Sequence, residues 1–368
     1  MTDGTQHFSG SYRQEDVEFL LTPMALEPIL DLAEKERLIQ SGQRHYSEML
    51  SPESLPSPAY LALFQSAFAA NRLQMARDCL RLAALIAARR TGAITLVSLA
   101  RAGTPVGVIL GHLLRQVFQR ECSHYSVSII RDRGIDANAL KHILAQGHGD
   151  ASIVFVDGWT GKGVISRELR QTVNDFNAAH GTAVDGGLFV LADLAGTAAC
   201  AASASDYLIP SSILNATVSG LVSRSVLNDA IGPDDFHGCV YYAQFEQHDQ
   251  SRDFADGLVA DAMAIAASSG VPLAEASDAP AMAARSQAYM AAAQQQYGIS
   301  DINLIKPGIG EATRVLLRRV PERLIVRDTN APDVAHLLLL AQEKAIPVTV
   351  EPALPYQAVA LIRSAVDG

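Results

Sequence analysis

The chain has 368 residues, room for about two to three domains at roughly 150 residues each. Its composition, 49% hydrophobic and 18% charged, supplies the apolar surface of a packed core and excludes a disordered or fibrous protein. A net charge of −10 repels a nucleic-acid backbone at long range and excludes a protein that coats DNA.

No apolar run reaches the roughly 18 to 20 residues of a membrane span. The opening MTDGTQHFSGSY lacks the basic head and apolar middle of a signal peptide, so a cytoplasmic protein without membrane contact is expected. Cys79, Cys122, Cys200 and Cys239 show no CxxC spacing; they read as buried thiols of a reducing compartment, not as a disulfide framework or zinc site.

Residues 1–90 read as a helical region, with apolar spacing near three and four in LEPILDLAEKERLIQSG and in the long stretch that closes at Gly92. From residue 91 to 255 short apolar runs (Ile94–Ala100, Tyr125–Ile130, Ile153–Asp157, Leu188–Ala192, Tyr207–Pro210) alternate with helical spacing, which predicts an α/β domain with a parallel sheet flanked by helices. Residues 256–297 turn Ala- and Gln-rich and read as a helical linker. Residues 298–368 alternate strand and helix again, as a small α/β sandwich ending in a helix from Tyr356. That last unit carries as many basic as acidic residues, so the negative charge belongs to residues 1–300. Arg314, Arg318, Arg319, Arg323 and Arg327 form a local cationic cluster, readable as a phosphate contact or as a solvated helix face.

The most informative segment is IVFVDGWTGKGVIS, Ile153–Ser166. A buried strand delivers Asp157, a Gly-rich turn follows, and a helix begins near Val164, so free N–H groups and the positive end of the helix dipole converge where an anion can bind. A nucleotide P-loop is excluded, because it needs four residues between its first Gly and the Gly-Lys pair and a hydroxyl after the lysine; Gly163 stands there instead. A second strand-to-helix turn, SLARAGTPVG, follows Ile94–Leu99. Histidine is the common general base near neutral pH, which makes His45 and His237 the candidates for that role, with a structural role the alternative for each.

The Ile153–Ser166 segment resembles the signature of type I phosphoribosyltransferases. The resemblance implies that Gly158, Trp159, Thr160, Gly161, Lys162 and Gly163 hold the 5′-phosphate of phosphoribosyl pyrophosphate (PRPP), with Asp157 catalytic and bonded to the ribose hydroxyls. It also implies that Ser98, Arg101, Ala102, Gly103 and Thr104 form a pyrophosphate loop, and that Arg131 and Arg133 of SVSIIRDRGID contact phosphate from a covering loop. Mg²⁺ would enter with PRPP and reach Asp157 only indirectly, through the substrate. One departure is that the family usually has two adjacent acidic residues, where this chain has Asp157 followed by Gly158.

With RHYSEMLSPE (Arg44–Glu53), LVSLARAGTPVG, VFVDGWTGKG and DYLIPSSILNATVSGLVSRSVL (Asp206–Leu227), nearly the whole chain resembles a bacterial family of tellurium-resistance (Ter) stress operons. That family joins a phosphoribosyltransferase domain to a C-terminal PELOTA-type RNA-binding domain, and some members bear the label cysteine protease StiP. The implied function is Mg²⁺-dependent transfer of phosphoribosyl to a base-like or nucleoside-precursor small-molecule acceptor in a stress response. On the same resemblance Lys306, Gly308, Gly310 and Arg314 of KPGIGEATR would meet RNA, although the unit offers no aromatic stacking platform. Two alternatives stand beside it. One is a non-catalytic sensor of PRPP or nucleotide that binds RNA; the other is a cysteine protease using Cys239 with His237, a poor geometry for residues only two apart.

Overall fold

The computed structural model describes residues 7–26, 31–51, 53–273 and 278–363. Its N-terminal part supplies β1 (Glu18–Leu20), β2 (Thr22–Pro23), α1 (Leu32–Gln40) and the long α2 (Pro58–Arg89). Helix α2 starts where the Ser57 side chain accepts the Tyr60 N–H and Pro58 occupies the first turn, where its missing donor is not needed. The alternating region follows: β3 (Ile94–Ala100), α3 (Thr104–Gln116), β4 (Cys122–Ile130), β5 (Gly134–Ile135), α4 (Ala137–Ala145), β6 (Ile153–Thr160), α5 (Val164–His180), β7 (Leu188–Asp193), β8 (Cys200–Ser203) and β9 (Gly238–Cys239). Helices α6 (Ser251–Ser269) and α7 (Ala279–Tyr297) lead to β10 (Ile305–Pro307), α8 (Ile309–Arg318), β11 (Pro321–Val326), α9 (Ala335–Glu343), β12 (Val348–Val350) and β13 (Ala358–Ile362).

The main sheet runs β1-β4-β3-β6-β7-β8 with every neighbouring pair parallel, and β5 turns back antiparallel on β4. Such sheets are covered on both faces, and β6 shows why its apolar run lacks alternation. Val154 and Val156 join the core that holds α2, α3 and α6, whereas Phe155 joins Leu169, Val173 and Phe176 of α5 on the other face. From β3 the chain moves to β4 on one side and then to β6 on the other. Their carboxyl ends therefore flank a switch point, where ligands of open α/β sheets bind.

The C-terminal strands form a mixed sheet, β10-β13-β11-β12, with β11 and β12 parallel and the other pairs antiparallel. Its core, including Ile309, Leu316 and Tyr356, is continuous with the core of the first sheet. Three expectations change. Residues 18–20, read as part of a helical region, extend the main sheet; the strand expected at Tyr207–Pro210 lies at Cys200–Ser203; the helix expected from Tyr356 is β13. Part of the first predicted helix (27–30) and the chain end (364–368) lie outside the described residues. Among the described residues no helix is long and apolar enough to cross a membrane.

Candidate ligand cleft

Strand β6 carries Asp157 to the carboxyl edge of the sheet, and the chain turns into α5 through Gly163 at φ +73°. A Cβ there would stand 2.5 Å from Thr197 Cγ2, so both the backbone and the space require glycine. Helix α5 has no side-chain N-cap, and Ser166 Oγ in its first turn is buried with no hydrogen-bond partner. The turn after β3 likewise opens α3 without a side-chain cap. The α5 start leaves the N–H groups of Val164, Ile165 and Ser166 ahead of its first helical bond (Arg167 N–H to Gly163), whereas at the α3 start the Thr104 N–H is given to the Arg101 carbonyl and Pro105 has none.

These turns face a cleft of about 1150 Å³. Its wall includes eight cationic side chains (Lys35, Arg101, Arg131, Lys162, Arg224, Lys306, Arg314, Arg319) and four acidic ones (Glu53, Asp157, Asp301, Glu311). In a chain of net charge −10, this concentration of positive charge focuses anions. Arg101 is fixed at 2.6 Å from Glu53 and donates to the Val222 carbonyl and to Asn215. The Arg131 and Arg224 guanidinium groups each stand 5.4 Å from the Tyr46 ring, whose hydroxyl accepts the Arg131 N–H.

The C-terminal domain closes the cleft. Lys162 Nζ donates to the carbonyls of Ile302 (2.7 Å) and Ile305 (3.3 Å). The Arg314 guanidinium lies 4.5 Å over the Trp159 ring, and Gly310 packs so closely on that ring that a Cβ would meet it at 2.9 Å. Asp206 accepts the backbone N–H groups of Ile309 (2.9 Å) and Gln357 (2.8 Å) from across the interface.

Burial shapes the titration here. It pushes the Asp157 carboxyl up to about 6, against the single N–H of Gly158 that it accepts. Burial, with Lys306 nearby, brings Lys162 down to about 7 and lowers Lys306 as well. Burial would raise Glu311, but Arg314 and Lys306 outweigh it and hold that carboxylate low.

The structure sorts the candidate residues. Arg101, Ala102, Arg131, Asp157, Trp159, Thr160, Gly161, Lys162, Gly163, Lys306 and Arg314 line the cleft. Within that set, the Thr160 hydroxyl is committed to Asp193 and the Lys162 ammonium is engaged with two carbonyls. Gly158, expected in the turn, lies within strand β6 and outside the lining. Ser98 and Thr104 lie deeper, bonded to His124 (2.8 Å) and Ser126 (2.7 Å), and Gly103 is pressed against the β3 and β6 backbones. Arg133, expected to contact phosphate, is instead paired with Glu48 at 2.6 Å and does not line the cleft.

His45 caps a short 3₁₀ turn by accepting the Ser47 N–H, and His237 Nδ1 is 2.7 Å from buried Ser128 Oγ; neither lines the cleft. Gly308 and Gly310, expected to meet RNA, are instead covered by Leu194 and Trp159. Sequence reasoning did not single out Glu53, Asp206 or Glu311 as site residues. The first two stand inside the blocks RHYSEMLSPE and DYLIPSS, where polar neighbours gave no local signal that set them apart.

Among the described residues no group of three or more His, Cys, Asp or Glu is placed to hold a metal ion. All four cysteines are buried and none lines the cleft; burial pushes Cys239 up to about 12 and Cys122 up to about 11.

Residues 10–259 match the family described as tellurite-like stress resistance cysteine protease StiP, and residues 284–364 match the PELOTA RNA binding domain. A curated relative from Acinetobacter baylyi, named cysteine protease StiP, is 42% identical over 369 residues, covering 97% of this chain and 95% of its own length. These matches correct the phosphoribosyltransferase expectation: the family and the relative both bear the name of a cysteine protease, and transfer of phosphoribosyl is set aside as the function.

Proposed function

The chain belongs to the StiP family of tellurite-like stress resistance cysteine proteases, and from that premise we propose that it is a stress-resistance protein whose working site is the interdomain cleft, where it recognises a phosphate-bearing ligand. The observation that carries this reading is the meeting of the uncapped α5 start, with its buried and unpartnered Ser166 Oγ, and a cationic excess at one switch point. The α5 amides and Lys162 receive one phosphate, with Ser166 Oγ as an additional donor; Arg101 and Arg131 face the rest of the anion. Magnesium, if carried in, rides on the ligand's phosphates, with Asp157 touching it only through the ligand. The scaffold is read as type I phosphoribosyltransferase-like from its strand order and its two turns, a statement about fold and not about reaction. The PELOTA match supports RNA as a partner of the C-terminal domain. Calorimetric titration with adenosine 5′-monophosphate tests the cleft: saturable binding that Lys162→Gln weakens about tenfold supports it, and no heat at millimolar ligand refutes it.

The relative's name carries a second reading, proteolysis by a thiol. Cys239 is the thiol to test, because it lies beside Tyr242, which faces Glu53 and Arg101 of the cleft wall. A nucleophilic thiolate there requires the buried sulfur to be uncovered and its pKa lowered. Peptide hydrolysis lost in Cys239→Ser supports this reading; hydrolysis retained in that variant removes it.

A further inference from the structure

The cleft is larger than a single small ligand needs, since such sites run to roughly 300–1000 Å³. One wall belongs to the domain that matches an RNA-binding family: Lys306, Glu311, Arg314 and Arg319 face the α5 start and Lys162 across it. The chain thus places an RNA-binding domain and a phosphate-type pocket around one space. Planar surface is also present: the Trp159 ring is covered by Gly310 and by the Arg314 guanidinium, and that guanidinium, which lines the cleft, is a plane on which a base can stack. Among the described residues, Glu311 and Asp301 are the carboxylates that act on the Lys162 and Lys306 ammonium groups, while Arg131 acts on both as further positive charge and Arg319 on Lys306. Glu311 is itself paired with Arg314 at 3.0 Å. An entering dianion would offset this crowding, and buried Ser166 Oγ, without a partner at the α5 start, adds a donor.

We propose that the cleft receives the phosphorylated end of a single-stranded RNA, its terminal phosphate at the α5 start and Lys162, its next nucleotides along Arg314 and the C-terminal wall. This rests on the phosphate reading of the cleft and names the ligand class. A mid-strand phosphate carries one negative charge and two flanking sugars. A terminal phosphate carries close to two and can enter a closed turn end-on, which is what the Gly161–Gly163 turn accommodates.

The test is fluorescence anisotropy of the full chain with ten-nucleotide RNAs labelled at the opposite end, bearing a 5′-phosphate, a 3′-phosphate or hydroxyls only. One phosphorylated strand is expected to bind about tenfold or more tighter than the hydroxyl strand. Lys162→Gln, and independently Lys306→Gln, should shrink that difference, and adenosine 5′-monophosphate should compete. If the mononucleotide binds but an end phosphate makes no difference to RNA, this inference is overturned while the cleft reading stands. If neither binds, both fall.

Discussion

The interdomain contact is testable through the single tryptophan of the chain. Gly310→Ala places a Cβ 2.9 Å from Trp159 Cζ2 and 3.0 Å from Cε2, where ordinary carbon contacts are ~3.5–4.0 Å. Arg314 on the ring limits its retreat, so the ring or helix α8 must shift by roughly 0.5–1 Å. Overpacking of this kind costs about 1–3 kcal/mol, a roughly 5- to 150-fold change in the docking equilibrium. Within α8 itself the same change gains up to about 1 kcal/mol, because alanine is the better helix former. The two effects have opposite signs and separate by probe. In urea, the Trp159 emission shift should move to lower denaturant by about 0.5–1.5 M for a slope near 2 kcal/mol/M, while far-UV circular dichroism keeps its full native amplitude. A tryptophan transition that is unchanged, or that moves upward, would refute the docked contact.

Asp157→Asn should stabilise the protein by about 1–3 kcal/mol above pH 6 and by nothing below about pH 4. The carboxyl is pushed up to about 6 in the folded chain from 3.8, so between those values the folded state binds the extra proton and stability falls as pH rises; thermal denaturation from pH 4 to 8 reads it. Asp206→Ala leaves the Ile309 and Gln357 N–H groups without their acceptor, at about 1.5–3 kcal/mol for each bond to a charged group, and should also bring the tryptophan transition to lower urea. Iodoacetamide should label Cys239 only after denaturant is added, as followed by mass spectrometry; rapid labelling of the native chain would contradict its burial.

The cleft's first wall was legible because a strand-to-helix turn has local grammar: four apolar residues, an acid, then Gly158, Gly161 and Gly163 before a helix. The second wall was not, because Trp159 meets Gly310 across 151 residues and no local pattern encodes such a pairing. The same distance explains why Gly308 and Gly310, sound as close-approach glycines, were matched to the wrong neighbour. Strand β13 read as helix because AVALI is buried on both faces and shows no period of two. Strand β8, CAAS, was passed over because alanine and serine have little strand preference, and it holds its place through pairing with β7.

Titrating sulfate against the full chain while following Trp159 emission at pH 6 and pH 8.5 probes the anion site of the cleft. Sulfate keeps its charge across that range and has the shape of a phosphate. Lys162, brought down to about 7 by burial, loses its proton as pH rises, and Asp157 gains a negative charge above about 6, so both changes weaken anion binding in the same direction. An anion site there gives saturable binding at pH 6, several-fold weaker binding at pH 8.5, and a flatter pH dependence in Lys162→Gln. Absence of binding at pH 6, or binding that strengthens toward pH 8.5, would contradict it.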